Sequence, residues 1–349
     1  MKSNPLYILA GLGREYPAKS GSCLLNGRRE ASASRSWNVS WRVNLVYAKY
    51  ERKMNKSSNE ALFLRIAFLE MLESMDGIGR ITAKRIVSHF PDWDTLFNMP
   101  YEQIAIRLKG TRKLKAIIQS LKKDATIQPI WAKVQATVQD RMKKGIHTWL
   151  TDQDGIQEKW KGFQKLSPPN LLYGFGNEHL LRQPYVAFLG KPPLQPASFE
   201  FAETMIRTLA NAQILMAGGL LNGFDTVLLK LTAAAHQPCL MWAGCGLGSV
   251  PNSIRSFAVA SLRFGGLMVS SFPMAHGIFE YGAYERALLM TALSRAVIVV
   301  DMQPDSPEER AVRWAEEHQI PVWYIGSGAH PESQLLRHLS DLDNIKSLF

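Results

Sequence analysis

Between residues 185 and 273, four apolar runs each end in a turn built of glycine, serine or proline, and these turns are where the chain could do chemistry. The most informative is Gly218-Gly219-Leu220-Leu221-Asn222-Gly223-Phe224-Asp225, between the apolar run Gln213 to Met216 and a leucine-rich helical pattern, Thr226 to Ala235. Strand, glycine turn and helix together form a phosphate cradle. Glycine lets the backbone approach a ligand, and the helix N-terminus offers unpaired N–H groups and a positive dipole end. Gly244-Cys245-Gly246-Leu247 follows Leu240 to Ala243, and Gly190-Lys191-Pro192-Pro193 follows Tyr185 to Leu189. The run Gly266 to Val269 ends in Ser270-Ser271-Phe272-Pro273. In a parallel sheet all four turns reach one edge, where ligands of such sheets bind. Asp225 is the acidic residue among these glycine turns; it either orients backbone N–H groups or caps the following helix through Thr226 and Val227. Cys245 reads as a small residue filling a tight turn rather than a catalytic thiol.

Composition narrows the function classes. The chain has 349 residues, 46% hydrophobic, and a formal charge of +11. Residues 1–53 carry a net +7, residues 54–79 −2, residues 80–144 +9, and residues 145–349 −3. A basic protein of this kind points to nucleic acid, but the positive charge lies outside the glycine-turn region. The cysteines Cys23, Cys239 and Cys245 are odd in number and scattered. They give neither a zinc spacing nor a disulfide framework, so a cytoplasmic location is expected. The eight histidines form no metal pair; no catalytic residues, metal or cofactor are expected, and neither is a membrane span or a signal peptide.

The elements that position the turns follow from periodicity. Ala61 onward reads as helix, with Leu62, Ile66, Leu69 and Leu72 on one face. Met75-Asp76-Gly77-Ile78-Gly79-Arg80 then reads as the turn of a helix-hairpin-helix, with Gly77 and Gly79 exposing backbone N–H groups and Arg80 and Lys84 offering cations to phosphates. The alternative is a structural hairpin with a solvated basic face. A second helical hairpin leads to the basic run Lys109, Arg112, Lys113, Lys115, Lys122 and Lys123, which reads either as a solvated helix face or as an addition to such a surface. From Tyr185 the pattern alternates β-α-β-α, with strands at Ala296 to Val300 and Val322 to Ile325. The expected fold is α/β: a Rossmann-like, doubly wound, mostly parallel sheet of about six strands, preceded by a small all-α helix-hairpin-helix or SAM-like domain. The expected domains are a helical one over 54–144, the Rossmann-like one over 145–328 and a helical tail over 329–349. Residues 1–53 lack a sustained apolar period and read as a disordered basic arm or as sequence upstream of a natural start at Met54.

The ordered set of turns resembles the DNA-processing protein A family, also called Smf. Its SGxAxGID turn lies over Gly218 to Asp225, and its GTGL turn over Gly244 to Leu247. Its GSR turn falls on Gly190-Lys191-Pro192 and its SExP turn on Ser270 to Pro273. Its PPxxLYxxGN entry segment fits Pro168-Pro169 through Asn177. The resemblance implies a non-enzymatic protein that binds single-stranded DNA at the glycine edge and passes it to RecA in recombination and natural transformation. A homodimer through the Rossmann-like domain is expected, and the winged helix that ends many members is missing. The expected DNA- or phosphate-binding residues are Gly190, Lys191, Gly218, Gly219, Gly223, Asp225, Gly244, Gly246 and Arg286, with Gly77, Gly79, Arg80 and Lys84 in the helical hairpin. The pattern also departs from the family. Pro192 replaces an Arg, Ser271 a Glu, and Ala287 and Leu288 an Asn-Arg pair, while an acidic segment, Asp305 to Glu309, replaces SGxxxTA. The alternative reading is a divergent paralogue that binds a nucleotide or serves as a sensor or scaffold.

Overall fold

Buried parallel strands read as short continuous apolar runs because both faces are covered, and the computed structural model places a strand on each of the runs singled out above. It describes residues 59–152, 168–190, 193–221, 223–326, 334–336 and 341–349, with backbone only at 124–126 and 334–335. The expectations for residues 1–53, Lys191, Pro192 and, in the tail, residues 329–333 and 337–340 lie outside these. The chain divides after Gln139 into two compact units.

The first unit is helical. Helix α1 (59–74), α2 (Arg80–His89), α3 (Trp93–Asn98), α4 (Tyr101–Arg107), α5 (Leu114–Leu121) and most of α6 (Asp124–Lys143) belong to it. Its core is Phe68, Leu72, Ile86, Phe90, Leu96, Ile104 and Ile118, all fully buried. Trp93 sits edge-on to Phe68 and tilted against Trp131. Asp92 caps α3 by accepting the Thr95 N–H at 2.7 Å.

The second unit is built on one sheet. Its strands are β1 (Ile146–Leu150), β2 (Leu171–Gly176), β3 (Val186–Gly190), β4 (Met216–Gly219), β5 (Cys239–Ala243), β6 (Leu267–Ser270), β7 (Ala296–Val300), β8 (Val322–Ile325) and β9 (Gln334–Leu335). Among the described residues they form nine strands in the order β1-β2-β6-β5-β4-β3-β7-β8-β9. From β6 to β9 every neighbouring pair is parallel; β1 and β2 are antiparallel additions beside β6. The sheet is therefore wider than the six strands expected. Helices α7 (Pro196–Asn211), α8 (Phe224–Ala234), α9 (Asn252–Arg263), α10 (Glu280–Ala292) and α11 (Pro307–Glu317) make the crossovers, and α12 (Leu342–Lys346) buries Leu342 and Ile345 near the end. The chain runs outward from β3 to β6, then returns past β3 to β7. That reversal is the topological switch point of a doubly wound sheet.

Two expectations need correction. Gly218 and Gly219 close strand β4, paired with Met241 and Trp242 of β5, rather than forming the turn beyond it. The tail begins with the two-residue strand β9 beside β8, rather than being helical throughout. The strand positions of these glycines have a packing cause. A Cβ on Gly218 would overlap Leu228, and one on Gly190 would lie 2.9 Å from the Phe224 ring. Backbone meets backbone where α10 begins: a Cβ on Gly244 would lie 2.7 Å from the Gly282 carbonyl oxygen, and one on Gly282 would overlap the Gly244 oxygen. Gly282→Ala is expected to lower unfolding free energy by about 1–3 kcal/mol, the range for overpacking a close contact. Urea unfolding followed by circular dichroism reads this directly, and an unchanged midpoint would refute the contact.

Candidate functional site

Because β3 to β7 are parallel and in register, their C-terminal ends reach one edge. Gly190 pairs with Val300, Gly219 with Trp242, and Ala243 with Ser270. The four turns expected to converge do so. The edge is held together by a buried ionic group. Asp225, in the first turn of α8, accepts the Gly219 N–H at 2.9 Å and the Leu221 N–H at 3.1 Å. Its role is thus to shape the preceding turn, not to cap α8 through Thr226 and Val227. Gly223, which precedes α8, has φ +91°, a conformation that favours glycine. From α10, Arg286 donates from Nη1 to Asp225 at 3.3 Å and from Nη2 to Glu308, in the first turn of α11, at 2.7 Å. Arg286, Asp225 and Glu308 are only 3%, 5% and 6% exposed. A Cβ on Gly219 would overlap the Arg286 guanidinium and the Asp225 carboxylate, so glycine is required there by the protein's own ion pair.

This corrects the expectation for Arg286. It was read as a cation remaining at the edge for phosphate, and it is instead enclosed between two carboxylates. Burial raises the Asp225 carboxyl above the usual carboxylate range, the largest influence on it, while Arg286 and the two N–H bonds act in the opposite direction. The folded chain thus holds this proton more tightly than the unfolded one. The contribution of Asp225 to stability is greatest at acid pH and declines as pH rises above about 3.9, the ordinary value. Other acids crowd the same edge. Asp301, after β7, accepts from the Gln195 N–H at 2.6 Å and the Ser198 hydroxyl at 3.0 Å. Glu309 accepts the Asp305 N–H at 2.5 Å and also pairs with Arg313. Ser271, where the family pattern has Glu, donates to Glu285. No group of three or more His, Cys, Asp and Glu able to hold a metal occurs among the described residues, and no described helix is long and apolar enough to cross a membrane.

The β5 and β6 turns are stitched to each other. The Gly246 N–H donates to the His276 carbonyl at 2.9 Å, the Gly248 N–H to Met274 at 3.0 Å, and the Ser270 hydroxyl to Cys245 at 2.7 Å. A Cβ on Gly246 would overlap the Pro273 and Met274 carbonyls. Gly244 and Gly246 thus allow close packing of two loops. This packing presents an aromatic group that the sequence reading missed. Phe279 and Tyr281 stack with centroids 5.5 Å apart and planes 9° apart, His276 stacks on Phe272 at 4.6 Å, and the Tyr281 hydroxyl bonds His276 Nε2 at 2.7 Å. Ile278, Phe279 and Tyr281 are 59%, 51% and 53% exposed. The signal was present as the run Ile278-Phe279-Glu280-Tyr281 between Gly277 and Gly282, too short for any periodicity.

In the helical unit, Gly77 has φ +82°, Gly77 and Gly79 are exposed, and Ile78 is buried beneath them. Arg80 opens α2, and Lys84 is exposed one turn later. The hairpin therefore turns its glycine backbone outward. These four residues belong to the first compact unit and the glycine edge to the second.

Removing Arg286 would leave two carboxylates buried without their cation. Arg286→Ala is expected to destabilise the fold by about 3–5 kcal/mol. Thermal unfolding of the variant tests this; a fully stable variant with reduced DNA affinity would return Arg286 to a ligand-binding role.

Comparison with known proteins fits this architecture. Protein Smf of Escherichia coli (strain K12) is 26% identical over 168 residues, covering 48% of this chain and 45% of Smf, so the chain spans less than half of that relative's length. The X-ray structure of DNA processing protein A from Streptococcus pneumoniae superposes with a TM-score of 0.61 at 18% identity, covering 81% of this chain and 97% of that one. A structure of the Helicobacter pylori protein, described for its single-stranded DNA binding mode, has a TM-score of 0.49 at 21% identity and covers 58% of this chain and 95% of that one. The family model described as DNA recombination-mediator protein A matches residues 150–337, which hold all of the sheet from β2 to β9, the converging glycine turns and the Asp225–Arg286–Glu308 group. The chain belongs to the DNA recombination-mediator protein A family.

Proposed function

We propose that this protein is a single-stranded DNA-binding recombination mediator whose sheet edge holds bases more than phosphates. The observation that carries this reading is the exposed Phe279–Tyr281 stack at the start of α10, just after the loop stitched to the β5 glycine turn. An aromatic face accepts any base, because every base has a π-face, and each stacked base contributes about 1–3 kcal/mol. Phosphate contact at this edge falls to Lys191 and to backbone N–H groups near Gly190, Gly218, Gly223 and Gly244, while the Gly219 and Gly246 N–H groups are already taken by Asp225 and the His276 carbonyl. Arg286 and Asp225 set the shape of the turn. Family membership supports a role in recombination. Hand-over to RecA, a setting in natural transformation, a homodimer through the Rossmann-like unit, a cytoplasmic location and the absence of a catalytic step belong to this proposal as what the family implies.

A second reading is favoured by one observation. The edge buries four acids, Asp225, Asp301, Glu308 and Glu309, and Arg286 pairs with two of them, Asp225 and Glu308, which disfavours a polyanion. On that reading the protein is a divergent paralogue acting as a nucleotide sensor or scaffold.

Binding of an oligo-dT strand, followed by fluorescence anisotropy across a salt series, separates the two. Phe279→Ala with Tyr281→Ala is expected to weaken binding at least about tenfold, since two lost stacks amount to roughly 2 kcal/mol or more. The salt slope should stay unchanged, because no phosphate contact is removed. Wild-type protein that fails to bind oligo-dT at low salt would leave the second reading in place.

A further inference from the structure

The helical unit contains the same device twice. Helix α1, the turn 75–79 and α2 form one helix-hairpin-helix; α4, the turn 108–113 and α5 form another, and α3 connects them. Each turn carries an exposed glycine in the left-handed region, Gly77 at φ +82° and Gly110 at φ +87°. The second turn packs against the second half of α2. There the Arg85 guanidinium donates to the Lys109 carbonyl and lies about 3.9 Å from where a Cβ on Gly110 would be, and Arg107 sits 5.6 Å above the Phe90 ring.

That packing places Arg85 of α2 against Lys109 and Gly110 of the second turn, whose next residues include Arg112 and Lys113. Lys84, Lys109, Arg112, Lys113 and Lys115 are exposed. From Gly77 to Pro91 the chain has three Lys/Arg and no carboxylate; from Gln103 to Lys123 it has seven and none. Asp76 and Glu102, both exposed, flank these stretches. Lys122 is turned inward, donating to the Phe97 carbonyl.

We propose that this unit is a second nucleic-acid site, in which the two hairpins hold the backbone of duplex DNA, one on each strand. The chemistry favours a duplex over a single strand. Single-strand sites combine cations with exposed rings. In this unit Tyr101 is the exposed large aromatic among the described residues, and it lies at the end of α4 away from the turn. Cations with glycine backbone and no rings suit phosphates and give no base readout. Paired hairpins match the paired phosphate rows on either side of a groove. The site is separate from the sheet edge, so a molecule carrying both would accept a single strand and a duplex at different places.

The test uses the full chain with a blunt duplex and an oligo-dT strand as probes over a salt series. Lys109→Gln with Arg112→Gln and Lys113→Gln is one variant; Arg80→Gln with Lys84→Gln is the other. Each is expected to weaken duplex binding at least about tenfold and to flatten its salt slope by roughly 0.9 per lost phosphate contact. Each should leave oligo-dT affinity within about twofold. Circular dichroism melts confirm that both variants fold. Wild-type protein that binds no duplex overturns the proposal, as does a second-turn variant with unchanged duplex affinity. Equal weakening of both probes also overturns it, in favour of a general basic face. Wild-type protein that binds the duplex but no oligo-dT would count against the sheet-edge reading and leave this one standing.

Discussion

The glycine edge depends on one buried arginine. Arg286 reaches from α10 to Asp225 at the start of α8 and to Glu308 at the start of α11, and Asp225 in turn fixes the Gly219 and Leu221 N–H groups. Three helices and the end of one strand are thus tied at a single guanidinium. The planar guanidinium, with five N–H donors, suits this role, because it can serve two carboxylates at once where an ammonium would act as a point charge. Gly219 follows from it, since any side chain there would displace the guanidinium. The group holds one cation against two acids, which costs desolvation, and such groups more often specify geometry than add stability. Here the geometry specified is that of the turn after β4.

The sheet was legible because its strands are parallel and buried. Such strands are unbroken apolar runs, and β7 and β8 fall on the residues read from the sequence. The antiparallel strand β2 was not legible as a strand. Leu171–Gly176 carries two glycines, and glycine weakens any strand reading. The reason for Gly174 lies across the sheet, where a Cβ would overlap the ring of Trp149 on β1. The same cause moved Gly218 and Gly219 into a turn on paper and into β4 in the fold. Glycine identity signals close approach, and sequence alone does not say whether a ligand or a neighbouring side chain makes it.

The site was legible in position and not in chemistry. Convergence of the turns follows from strand direction alone. The state of Arg286 depends on acids 61 residues before it and 22 after it, and no local pattern links them. A guanidinium at a sheet edge therefore reads as a phosphate ligand until its partners are known. The Phe279–Tyr281 stack escaped for the opposite reason. Nothing remote is needed to see two rings two residues apart, but their exposure depends on the Gly246–His276 and Gly248–Met274 bonds that hold the loop outward.

Charge and rings are divided between the two units, and the division has a physical consequence. Residues 80–139 of the first unit carry +7 and residues 140–349, the second unit, carry −1. Counterion release dominates binding to the first kind of surface and weakens steeply with salt. Base stacking, the gain available at the second, has little such dependence because it neutralises no phosphate. On the readings proposed above, long-range attraction of a duplex would fall to the helical unit, since a field of one sign acts over about a Debye length, roughly 8 Å at physiological ionic strength. On the same reading, retention of an unpaired strand would fall to the sheet edge, where buried acids disfavour phosphates and exposed rings offer faces to bases. Such an edge would discriminate against duplex DNA, whose bases are already stacked on one another and whose phosphates face outward. On that proposal the lost edge arginines, a weakness if the edge had to attract DNA by charge, would make it selective for unstacked bases.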